Sequence, residues 1–216
     1  MGKVKAQLSI SADGYAAGPS QSEEHPLGEG GERLHEWVVE LAAWRRMHGR
    51  PGGAVNASTE VFERAAGGVG AVVMGRNMFG PVRGPWTEPL WEGWWGEEPP
   101  FHVPVFVLTH HPREPLEMRG GTTFHFVTEG FDRALELARE AAGDADVSVG
   151  GGPSTIRQAI RGGHLEELLI SQVPVLLGGG ERLLDGLAPG DAELEQAEVV
   201  EAPGVAHVLY RLRYRR

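Results

Sequence analysis

The sequence predicts an α/β fold in a single domain spanning residues 1–216. Three observations lead there. Short apolar runs suited to strands alternate with amphipathic stretches suited to helices along the whole chain. No repeat or long linker divides it, and 216 residues are enough to bury one full core.

The elements follow in order. Val4, Ala6, Leu8 and Ile10 alternate within residues 4–12, the pattern of a first strand. Residues 13–31 are a Gly/Ser/Pro/Glu-rich loop, long enough to suggest a functional segment. Leu34, Trp37, Val38, Leu41 and Trp44 then recur at three- and four-residue spacing, which predicts one amphipathic helix ending before Gly49 and Pro51. A shorter helix is expected from about Ser58 to Ala66, and residues 69–75 (VGAVVMG) read as a buried strand. Residues 81–101 are irregular, with five prolines and four tryptophans, Trp86, Trp91, Trp94 and Trp95. That segment reads either as a lid or aromatic wall for a planar ligand or as packing over the core or at a dimer interface.

Strands are expected at 102–109 and 122–128, and a helix over 131–142 that stops at Gly143. A strand over 146–152 runs into glycines, and Pro153 suits the first turn of the following helix. Residues 165–177 read as a strand, and two C-terminal strands follow. In the last of them the arginines read as protection of a sheet edge.

Composition excludes several functions. The chain has no cysteine, which removes disulfides, thiolate nucleophiles and iron–sulfur clusters. A formal charge of -10 argues against a general nucleic-acid or anionic-membrane binder. No apolar run reaches the roughly 18–20 residues of a membrane span. Residues 1–6 lack a signal-peptide apolar core, so a cytoplasmic protein is the expectation. No His/Glu spacing resembles a metal motif, so no metal is expected.

Chemistry is expected where apolar strands run into glycines or polar loops, because ligands of open α/β sheets collect at the carboxyl ends of strands. Gly150, Gly151 and Gly152 with Ser154 and Thr155 read either as a phosphate cradle at a helix start or as a tight strand-to-helix turn. Thr155 stands where a dinucleotide fingerprint would place its third glycine. At the end of VVMGRNMF, Gly75, Arg76 and Asn77 put a guanidinium at a second such junction, either for a phosphate or as a turn cap. Thr109, His110, His111 and Arg113 follow a third strand, forming a phosphate-binding edge or a solvated loop. The fourth junction, SISADGYAAG, carries Asp13 beside Gly14, a pair that favours an Asx-turn.

In this order and spacing, the four junctions resemble the dihydrofolate reductase superfamily, and most closely its RibD C-terminal branch. VVMGRNMF resembles the strand–Gly-Arg–helix motif, VFVLTHHP the second cofactor strand, DVSVGGGPSTIRQAI the pyrophosphate turn, and SISADGYAAG the Ser-x-Asp-Gly opening. The resemblance implies a mostly parallel central sheet flanked by helices, antiparallel C-terminal strands, NADPH as hydride donor and a homodimer. Carried over by position, Gly151, Gly152 and Ser154 would meet the pyrophosphate, with Arg76 and Asn77 flanking it. Thr109 and His110 would approach the adenosine ribose and its 2′-phosphate.

Two departures stand out. Met78 replaces the hydroxyl residue usual after Gly-Arg-x, and no carboxylate is clearly placed as the pterin-binding acid. Glu40 is its nearest analogue, although a solvated helix acid is the simpler account. Asp13, Glu40 or water are the available proton sources. The expected activity is NADPH-dependent reduction of a small heterocyclic or C=N-containing substrate of the riboflavin or folate type. The alternative is a non-catalytic nucleotide-binding or regulatory protein that retains the fold.

Overall fold

A computed structural model of the chain describes residues 2–81 and 83–215. Their contacts gather into two units, one holding residues up to Ala6 with Gly68–Leu165, the other Gln7–Gly67 with the residues from Glu166 on. The first strand, β1 (Val4–Ser11), begins in the first unit and continues into the second.

The first unit is built on a mostly parallel sheet. Its further strands are β3 (Val69–Gly75), β4 (Pro104–Leu108), β5 (Leu116–Glu117), β6 (Thr123–Val127) and β7 (Asp146–Gly151). β7 pairs in parallel with both β1 and β3, β3 with β4, and β4 with β6; only the short β5 runs antiparallel. Three helices belong to this unit: α4 (Arg76–Phe79), α5 (Phe131–Ala142) and α6 (Pro153–Arg161). Phe131, Ala134, Leu135 and Ala138 form the buried stripe of α5, which lies against β3 and β4. That helix ends at Gly143, whose φ of 59° suits glycine. Val72, Met74, Phe79, Val105, Val107 and Phe124 make the core, with Trp86, Trp91 and Trp95 packed against it. The 81–101 segment is therefore core packing in large part, with edge-to-face contacts such as Trp86 to Phe126 at 5.1 Å.

The second unit holds the antiparallel strands β8 (Glu167–Val173), β11 (Val205–Arg213) and β10 (Glu193–Ala202). A two-stranded ribbon of β2 (Tyr15–Ala17) and β9 (Glu181–Arg182) joins them, with α1 (Glu36–Val39), α2 (Ala42–Met47) and α3 (Ala57–Ala66). Asn56 caps α3, its side chain accepting from Ser58 N while Asn56 N donates to Thr59 Oγ1. The α/β reading stands: a mostly parallel sheet with helices against it, and antiparallel C-terminal strands.

Several local expectations need correction. The stripe from Leu34 to Trp44 is not one helix but a tight turn (Gly31–His35), α1 and α2. Leu41 adopts extended backbone (ψ 138°) and bridges Ala54, whose N–H and carbonyl bond Glu40 and Ala42 at 2.8 Å. That distant pairing overrides the helical period. The strand expected over 165–177 stops at Val173, and the 13–31 loop contains β2. The arginines of β11 do not guard an edge, because β8 and β10 flank that strand on both sides. No helix among the described residues is long and apolar enough to cross a membrane.

Candidate functional site

Three of the four glycine junctions converge, and strand order is the cause. β7, β3 and β4 are parallel neighbours, so their carboxyl ends share one sheet edge. The register places Met74 opposite Gly151 and Gly75 opposite Leu108, setting the loops after the three strands side by side. A Cβ on Gly75 would lie 2.7 Å from Thr155 Oγ1, so the start of α6 packs directly on the end of β3. Thr155 is thereby buried, while Ser154 and Asn77 remain exposed.

The glycine turn itself is tight. Gly151 has φ 117°, a conformation L side chains avoid, and its peptide to Gly152 is cis. Met78 lies beneath it, with Sδ 3.4 Å from where a Gly150 Cβ would stand. The position expected to carry a hydroxyl thus supplies packing under the turn. Gly152 precedes α6, Pro153 has no N–H, and Thr155 N and Ile156 N donate to the Gly152 carbonyl at 3.0 and 3.3 Å, so among the described residues the Ser154 N–H is the helix-start donor left for an anion.

Arg76 links the second and third junctions. Its Nη1 donates to Thr109 Oγ1 at 2.8 Å and its Nη2 to the Gly84 carbonyl at 3.4 Å. The Thr109 hydroxyl also accepts from His111 N at 3.1 Å, so it is engaged inside the protein. Arg76 Nε is buried without an acceptor among the described residues, and the guanidinium has no carboxylate partner among the ion pairs seen. Desolvation, then the like charges of Arg113 and Arg83, lower its pKa to about 10. It stays charged at neutral pH, uncompensated. His110 is exposed on the adjoining loop. Arg113 turns inward: it donates to the Trp91 carbonyl at 2.5 Å and lies 4.9 Å from the Trp86 and Phe126 rings.

Asp13 and Glu40 belong to the second unit. The Asp13 carboxylate accepts from Gly178 N at 2.8 Å and Leu177 N at 3.2 Å, while its carbonyl accepts from Arg182 at 2.7 Å. The Ser11 hydroxyl and these backbone donors hold its pKa down to about 2, despite an opposing desolvation effect. It is an anionic anchor for the 177–182 turn, poorly suited to donate a proton. Glu40 is exposed just past α1, its carbonyl bonded to Ala54 N, and is not on the continuous helix expected for it.

Sequence reading missed the second unit's polar centre. His207 is 1% exposed, with Nε2 2.8 Å from Ser58 Oγ and Nδ1 2.9 Å from Ser171 Oγ. The Trp37 ring stands edge-on to it at 4.8 Å, with Nε1 donating to Ser9 Oγ at 3.1 Å. The one available signal was a histidine two residues from Val205 in an alternating strand; nothing in the sequence joins it to Ser58. Among the described residues no group of three or more His, Cys, Asp or Glu is placed to hold a metal ion.

Comparison with known proteins matches the RibD C-terminal domain family model to residues 2–207. Among solved structures, a protein assigned to riboflavin biosynthesis from Shewanella sp. PV-4 aligns with a TM-score of 0.63 at 18% identity, covering 98% of this chain and 99% of that one. The diaminohydroxyphosphoribosylaminopyrimidine deaminase/5-amino-6-(5-phosphoribosylamino)uracil reductase of Thermotoga maritima aligns at 0.57 and 14% identity, over 98% of this chain and 57% of that one. The riboflavin biosynthesis reductase of Saccharomyces cerevisiae aligns at 0.52 and 13% identity, over 98% and 89%. No curated protein sequence matches.

Proposed function

The chain belongs to the RibD C-terminal domain family, and from that premise we propose that it is an NADPH-dependent reductase of a pyrimidine- or pterin-like heterocycle of the riboflavin-pathway type. The observation that carries the reading is Arg76, a partly buried cation with no carboxylate and an orphaned Nε–H, at the edge where α6 begins. Buried charges are ordinarily paired, so this site is built for an anion from outside the chain. The residues present fit a phosphorylated dinucleotide. The Gly150–Gly152 turn and the Ser154 N–H at the start of α6 would hold the pyrophosphate, with the Ser154 and Asn77 side chains exposed beside them. Arg76 and His110 would face the 2′-phosphate, while Thr109 acts by orienting Arg76.

NADPH, when bound, supplies a hydride to an electrophilic C=N or C=O carbon. The chain's share is binding, orientation and exclusion of water. Local donors must overcome a net charge of -10. Two charged hydrogen bonds at roughly 1.5–3 kcal/mol each would favour NADPH over NADH by ~10²-fold or more.

Titration with each nucleotide, following tryptophan fluorescence with an inner-filter control, tests this. Micromolar NADPH binding with much weaker NADH binding is the expected result; no saturable binding of either would remove the assignment. A second reading, a nucleotide-binding protein without turnover, is favoured by one observation: the Asp13 carboxylate is held as an anion by the Leu177 and Gly178 N–H groups and is not set up to give a proton. Stoichiometric NADPH binding without turnover on a pyrimidine, pterin and imine panel would select it. We also infer a homodimer from the family resemblance, to be checked by sedimentation equilibrium.

A further inference from the structure

We propose that Trp86 sets the preference for a 2′-phosphorylated nucleotide by holding Arg76 and Arg113 together as one anion-binding cluster. The proposal rests on the nucleotide reading above and names what makes that site selective. The Arg76 guanidinium carbon lies 3.2 Å from the Trp86 ring centroid, and that of Arg113 lies 4.9 Å from the same ring. The indole is fixed from its other contacts. Its Nε1 donates to the His111 carbonyl at 3.0 Å, tying the segment after α4 to the loop after β4. Phe126 and Phe79 stand edge-on to it at 5.1 and 6.0 Å.

Two guanidiniums this close repel: burial disfavours the charge of each, and Arg113 is the largest like charge acting on Arg76, while Glu92 and Glu88 support the charge of Arg113. Free in water they would separate. The negative face of the indole offsets the repulsion and fixes the plane of Arg76. A guanidinium has five N–H groups; Thr109 and Gly84 engage one each and the Nε–H is buried, which leaves one N–H on each terminal nitrogen in a fixed fork. Such a fork matches the terminal oxygens of a phosphate monoester and gains little from a ribose hydroxyl. The consequence falls on NADPH and spares NADH, because the pyrophosphate common to both is assigned to the glycine turn. Trp86 is a positioning residue, acting through Arg76.

The test is calorimetric titration of NADPH and NADH against the wild type, Trp86→Leu, Trp86→Phe and Arg113→Met. Leucine keeps apolar volume without a ring face, and phenylalanine keeps a face. Trp86→Leu is expected to weaken NADPH about tenfold with NADH unchanged, and Trp86→Phe to stay within about threefold of wild type. Arg113→Met carries the same selective loss without touching the ring, so the proposal remains testable if the leucine variant does not fold. Equal weakening of both nucleotides in Trp86→Leu, or no change in either, overturns the proposal and leaves Trp86 as core packing. Wild-type protein that binds neither nucleotide overturns the reductase reading itself, and the role of Trp86 with it.

Discussion

Arg76 in the first unit and His207 in the second are both polar groups taken out of water, and they are treated in opposite ways. His207 is closed: each ring nitrogen meets a serine hydroxyl, and burial keeps the ring neutral. Arg76 is open: it carries a charge, faces two like charges and keeps a buried N–H without an acceptor. A satisfied network specifies a fold, whereas an unsatisfied charge costs stability and persists only where something else gains from it. The contrast sets a satisfied polar centre beside an unsatisfied one, which the proposed function uses for binding.

The sharpest way to break the comparison is Arg76→Met. NADPH affinity should fall roughly 10²-fold, while the thermal midpoint stays level or rises, because an unpaired, desolvated cation is removed. A large drop in the midpoint would mean that Arg76 is structural after all. Ser171→Ala should do the reverse: it strands His207 Nδ1, costs about 1–3 kcal/mol in urea unfolding, and leaves NADPH affinity untouched.

The smallest effect is in pH. Burial lowers the pKa of His207, as it does for His35 and His125, below the ordinary 6.5. The unfolded chain therefore binds these protons first. Stability is full above 6.5 and falls as pH drops below it, levelling off only beneath the folded values. Urea midpoints should be lower at about pH 5 than at about pH 7.5, with a shallower difference in His207→Asn. A flat profile in the wild type would contradict the buried, neutral state of these rings.

What could be read from the sequence was local. The period of α5, its stop at Gly143, the run of β3 and the Pro153 start of α6 depend on neighbours in the chain, and each lies where its pattern puts it. The break at Leu41 does not, because it is made by pairing with Ala54. The three-junction edge was legible as separate motifs; parallel pairing of β7, β3 and β4 makes them one site. The Arg76–Trp86 stack was not legible, since an irregular, proline-broken segment has no period to say which tryptophan turns where. His207 and Ser58 are 149 positions apart, beyond any spacing rule.

The fit of Gly75 against Thr155 has a consequence for how such a site changes over generations. With 2.7 Å between a would-be Cβ and the threonine oxygen, position 75 cannot gain a side chain while Thr155 keeps its own. A methyl group at 75 requires space vacated first at 155, so the order of the changes is fixed. The proposed nucleotide grip therefore changes only in ordered steps. Trp86 itself, held by the His111 carbonyl and ring faces, can be retuned by a single change. Under the proposed function, divergence in cofactor choice should accumulate there first, on a foundation that stays put.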